Sequence, residues 1–125
     1  MKHPPLDPDA TFARFETLLL EITANILTLE SLRRLLATAE STDFEFHRQH
    51  ASRLHRDIRN LGIEATAVQF ELASLDRLND SQRRRILQRT ALYPELMKRW
   101  DELQGELVNF YSRREMPGDD PSSRQ

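Results

Sequence analysis

The side chains able to do chemistry gather in the second quarter of the chain. His47 and His50 stand three apart and Asp43 lies one turn before His47, so a helix would carry all three on one face. That spacing could present three ligands to zinc or iron. The Glu-x-x-His motif that di-iron bundles use twice is absent, because Phe44, His47 and Ser52 stand three residues before His47, His50 and His55. His47 also falls on the apolar seam described below, where a histidine is accounted for as a rim residue of the core. We therefore expect no resident metal and no cofactor; Asp43, His47 and His50 are the candidates if a metal is held.

The stretch Leu54-His55-Arg56-Asp57-Ile58-Arg59-Asn60 resembles the phospho-acceptor helix of sensor histidine kinases, and the resemblance would make His55 the acceptor. Arg56 separates His55 from Asp57, where that family places the acid beside the histidine, and no glycine-rich ATP-lid boxes follow. The same residues read as a solvated His/Arg/Asp face. No membership is assigned.

Arginine outnumbers lysine sixteen to two, and its planar fork suits phosphate or carboxylate. Residues 1–46 sum to −4, whereas residues 81–99 sum to +5 through Arg83, Arg84, Arg85, Arg89, Lys98 and Arg99 against Glu95. Arg48, Arg53, Arg56 and Arg59 form a second cluster opposed by Asp57 alone. Consecutive Arg83, Arg84 and Arg85 fan around a helix and cannot all meet one ligand. With a net charge of −2, pairing with the acidic N-terminal helix or across subunits accounts for these arginines. Nucleic acid on Arg83, Arg84, Arg85 and Arg89 is the alternative. P-loop, G-x-G-x-x-G, G-x-S-x-G and H-E-x-x-H motifs are all missing, so we expect no catalytic residues and no enzymatic activity.

The elements that must position these residues are helices. Glycine occurs only at 62, 105 and 118, and between residues 7 and 114 the one proline past the helix start is Pro94; both residues are costly in helix interiors. Asp7-Pro8-Asp9 offers a cap, a first-turn proline and a favourable charge. Phe12, Phe15, Leu19, Ile22, Ile26, Leu29 and Leu36 follow in 3-4 spacing, interrupted at Arg33, and Leu18, Leu20, Leu27, Leu32 and Leu35 lie off that seam. Thr42 and Glu45 have the form of a capping box for a second helix. Its seam runs without a miss through Phe44, His47, Ala51, Leu54, Ile58, Leu61, Ala65, Val68, Leu72, Leu75 and Asn79. Asn79-Asp80-Ser81 predicts a tight connection and a new cap. Ile86, Thr90, Tyr93, Met97, Trp100, Leu107 and Tyr111 carry the pattern onward, with a kink expected at Pro94.

The expected fold is an all-α antiparallel bundle of three long helices over residues 7–114, packed in coiled-coil fashion, with disordered tails at 1–6 and 115–125. At 125 residues with 38% hydrophobic residues the chain can bury a real core, and without cysteine it has neither disulfides nor thiolate sites. No apolar run reaches the length of a membrane span, and residues 1–8 lack a signal-peptide core, so the expected location is the cytoplasm. Helix 1 is apolar around too much of its circumference for a narrow seam. We expect a protein–protein interaction module, an adaptor, chaperone or regulatory subunit, using Leu20, Leu27 and Leu35 with the arginines of helix 3, and forming a homodimer.

Overall fold

The computed structural model describes residues 7–115, and the described residues are helices joined by short connections, with no strand among them. Three rods run up, down and up: α1 (Pro8–Thr38), α2 (Ser41–Ala73), and a third rod made of α3 (Asp80–Thr90) and α4 (Leu92–Glu115). Successive rods are antiparallel, so α1 and the third rod are parallel. The expected tails lie outside the described residues, apart from Glu115 at the end of α4. Among the described residues no helix is long and apolar enough to cross a membrane.

The start of α1 follows its sequence signal. The Asp7 carboxylate accepts from the Asp9 amide at 3.0 Å, and Pro8 occupies the first turn, where a missing N–H costs nothing. All seven seam residues of α1 are buried, and so are Leu18 and Leu32 beside it. They meet Phe44, Ala51, Leu54, Ile58, Ala65, Val68 and Leu72 of α2, with Leu103 and Leu107 of α4 closing the third side. Each such large apolar side chain contributes about 1.5–3 kcal/mol by leaving water.

Two expected boundaries move. Phe44 N–H donates to the Glu40 carbonyl at 2.7 Å, so α2 begins two residues early and its N-cap is Glu40 instead of Thr42, without a side-chain cap bond. Thr42 therefore sits inside the first turn, and Glu45 pairs with Arg48 at 3.5 Å instead of closing a capping box. At its other end α2 stops at Ala73, six residues before Asn79. The Ser74 hydroxyl and amide both donate to the Glu71 carbonyl, and Arg77 adopts a left-handed φ of 55°. That conformation costs a non-glycine residue about 1 kcal/mol or more, and it reverses the chain within a six-residue connection longer than the one expected. Asn79 is thus no seam residue. It caps α3 reciprocally, accepting from Gln82 N–H at 2.7 Å and donating its own amide to Gln82 Oε1 at 3.0 Å.

Pro94 has the expected effect one turn upstream. Lacking an amide, it cannot bond the Thr90 carbonyl, and the third rod breaks at Ala91 alone while its apolar face keeps phase. Just past the break, Tyr93 lies edge-on to Phe15, 6.4 Å between centroids, and its hydroxyl donates to the Gly62 carbonyl at 2.8 Å. Thr66 Oγ lies 3.0 Å from the same hydroxyl. At Gly62 side chains of the third rod pack directly on the α2 backbone: a Cβ there would meet Met97 Cε at 3.1 Å and Tyr93 Oη at 3.3 Å, whereas one on Gly105 would meet nothing within 4 Å.

The two glycines should respond oppositely to alanine. In urea denaturation, Gly105→Ala is expected to stabilise by about 0.5–1 kcal/mol through helix propensity alone. Gly62→Ala should lose that gain to crowding against a tyrosine tip held by hydrogen bonds, with a net destabilisation of about 1 kcal/mol. Gly62→Ala should become less unfavourable in a Tyr93→Phe background. A stabilising Gly62→Ala in the native background would contradict the packing described.

Candidate functional site

The polar groups divide between those that hold the rods together and those left facing water. Four pairs tie α1 to the third rod: Asp9 with Gln82 at 3.3 Å, Glu16 with Arg89 at 3.1 Å, both oxygens of Glu30 with Arg99 at 2.6 Å, and Arg33 with Glu106. Arg14 reaches α2 at Glu71, 3.3 Å away. Arg89 thus has an intramolecular partner. Arg85 lies over the Phe12 ring at 4.9 Å, and Arg83 reaches the Leu78 carbonyl at 3.5 Å. Arg84 is exposed. The helix 3 arginines therefore do not converge on one ligand.

Asp43, His47 and His50 do not come together either: among the described residues no three such side chains form a group able to hold a metal ion. His47 packs against the edge of Phe46, centroids 5.6 Å apart, at the rim of the core. Its Nδ1 is buried without a hydrogen-bond partner among the described residues.

His55 occupies the most distinctive polar position. Its Nδ1 accepts from Trp100 Nε1–H at 2.9 Å, a bond that joins α2 to α4. Burial, and then the Arg59 guanidinium, hold its pKa below the ordinary imidazole value. The ring is therefore neutral near pH 7, and since Nδ1 accepts, the proton is on Nε2. His55 lines a cleft of about 440 Å³ between α2 and α4 with Ser52, Arg53, Arg56, Arg59 and Tyr111, and Arg48 stacks at 5.4 Å over the Tyr111 ring. The Tyr111 hydroxyl is buried without a hydrogen-bond partner among the described residues, and burial raises its pKa against the opposing pull of Arg48.

A second, larger cleft of about 650 Å³ lies between α1 and the third rod, floored by Leu19, Leu20, Leu92 and Leu96. Leu20 at its edge is 71% exposed, and Leu27 and Leu35 farther along α1 are 53% and 48% exposed. All three leucines singled out from the sequence remain uncovered. Sequence reasoning missed exposed Ile63 and Phe70 on the outer side of α2; with Ala67 they form an i, i+4, i+7 row legible in the pattern, obscured by the stronger seam. No family model, curated protein or solved structure shows significant similarity to the chain.

Because Trp100 is the single tryptophan, its emission reports the His55 bond directly. Protonating Nδ1 removes the acceptor, so emission should change with a midpoint below about pH 6.5, the ordinary imidazole value. A folded-state pKa below the unfolded one means that unfolded chains take up the proton first. Stability due to His55 is therefore complete above about pH 6.5 and declines as pH falls through the folded-state pKa. His55→Gln should abolish the emission step. A step that persists in this variant would place the titrating group elsewhere.

Proposed function

We propose that the chain is a non-enzymatic helical protein–protein interaction module, an adaptor, assembly or secretion chaperone or regulatory subunit, whose working surface is the outer face of α1 and whose first partner is a second copy of itself. The observation that carries this reading is the uncovered row of Leu20, Leu27 and Leu35. Between Ile22 and Leu32 the one charged residue is Glu30, and it is committed to Arg99. Ala24 and Ser31 are small and exposed beside the leucines, so a second helix can approach closely.

The charges of α1 favour a symmetric partner. Arg14, Glu16, Glu30 and Arg33 all have inter-helix partners. Glu21 and Arg34 are exposed, have opposite signs, and lie equally far in sequence from the Leu27–Thr28 midpoint. A two-fold axis through that midpoint, with the helices antiparallel, brings the Glu21 end of one row to the Arg34 end of the other and Leu20 towards Leu35. Nucleic-acid association through α3 is a second reading. It draws support from exposed Arg83 and Arg84, and less from Arg85 and Arg89, which already engage α1.

Light scattering across the micromolar range tests the first reading. The native chain should approach dimer mass, and Leu20→Glu with Leu27→Glu should return it to a monomer without loss of helicity. Glu21→Arg should weaken the dimer several-fold, and adding Arg34→Glu should restore it. A chain that stays monomeric at every concentration would reject the self-pairing.

A further inference from the structure

We propose that the cleft between α2 and α4 is a binding site for a compact polyphosphate anion, held by the guanidinium groups of Arg53, Arg56 and Arg59 with Ser52 and the Nε2–H of His55 as neutral donors. This inference is independent of the α1 surface and of self-association.

The first support is the way charge is distributed over the bundle. Four arginines of α1 and the third rod that face another rod are matched by glutamates: Arg14 by Glu71, Arg33 by Glu106, Arg89 by Glu16 and Arg99 by Glu30. Among the described residues Arg53, Arg56 and Arg59 have no ion pair, and none of those lining their cleft carries a carboxylate. Asp57, the acid nearest in sequence and one turn after Arg53, makes no ion pair among the described residues and lines a neighbouring cleft with Glu21 and Glu64. Like charges at i, i+3 and i+6 repel one another on a helix. The row is thus a local concentration of positive charge that no ion pair among the described residues neutralises.

The second support is donor geometry. Ser52, His55 and Arg59 follow Arg48 at i+4, i+7 and i+11, one face of α2, and Arg53 and Arg56 reach the same cleft from the adjoining flank. The hydroxyls of Thr17, Thr23, Thr28, Ser31 and Thr66 all donate back to the carbonyl four residues earlier. Ser52, exposed at the cleft, makes no such bond among the described residues. Trp100 fixes the tautomer of His55, which leaves its remaining ring nitrogen as a donor.

The class of ligand follows from scale and field. Arg53 to Arg59 spans about 9 Å of helix rise, room for two or three linked phosphoryl groups and more than a single phosphate fills. A long polyanion would also meet the rest of a molecule whose net charge is −2, and its many acidic residues would repel it. A compact anion meets the cleft alone.

Titration calorimetry and Trp100 emission with inorganic tripolyphosphate test the proposal, with a single-stranded oligonucleotide as the second ligand. Tripolyphosphate should bind one per chain. The triple variant Arg53→Gln, Arg56→Gln, Arg59→Gln, checked for native helicity, should bind it about tenfold more weakly or worse. Arg83→Gln with Arg84→Gln, which changes charge away from the cleft, should leave binding unchanged. His55→Gln should also weaken binding, by a smaller factor. Equal losses in the two arginine sets would reveal unspecific attraction and overturn the site, as would the absence of saturable binding. An oligonucleotide bound more tightly than tripolyphosphate through the same three arginines would overturn the compact-anion assignment.

Discussion

The bundle depends on α1 being too apolar to be covered by one neighbour. Its buried residues include the seven of the main seam and also Leu18 and Leu32, which widen that seam on one side. A single antiparallel partner would bury only one stripe of a helix. Here α2 covers one side and the third rod covers another, so α1 acts as the spine against which both are measured. The cost of leaving such surface in water, about 25 cal/mol per Å², outweighs what each surface ion pair offers, about 0–1 kcal/mol. The Glu16–Arg89, Glu30–Arg99 and Arg33–Glu106 pairs therefore set register more than they supply stability.

The third rod meets that spine only because it is broken. A straight helix through Pro94 would need an amide that proline lacks, and the turn at Ala91 absorbs the fault. Close approach to α2 then rests on Gly62, whose missing side chain admits the Tyr93 and Met97 tips. The hydroxyl of Tyr93 and the indole N–H of Trp100 both find acceptors on α2, at the Gly62 carbonyl and at His55 Nδ1. Large amphipathic side chains thus join the two rods by hydrogen bonds as well as by packing.

Function is constrained by what this packing leaves over. Four inter-rod salt bridges consume most of the charge on α1, and α1 keeps on its outer face the leucines, Glu21 and Arg34. On α2 the arrangement is reversed: the apolar seam is spent on the core and arginines remain at the cleft with α4. The two surfaces differ in chemistry and lie on different rods, which is why one is read as a helix-docking face and the other as an anion site.

Sequence alone determined the helical class, the three-rod count, the Asp7 and Asn79 caps and the break near Pro94. These follow from period, propensity and capping, which act within a few residues and are written locally. Of the five leucines off the α1 seam, only the packing decided that Leu18 and Leu32 are buried and Leu20, Leu27 and Leu35 exposed. The early end of α2 was not legible. Leu75 continues the heptad pattern and remains partly buried, although the chain has already left the helix and turns at Arg77. Apolar periodicity records burial, and a loop that packs on the core satisfies it as well as a helix does. Nor could spacing say which arginines would find glutamates. Arg89 and Arg59 look alike in the sequence, yet Arg89 lies against Glu16 while Arg59 faces a cleft whose described lining holds no carboxylate. The partner in each case is supplied by another rod, tens of residues away, and only the packing of the rods brings it within a few ångströms or leaves it out of reach.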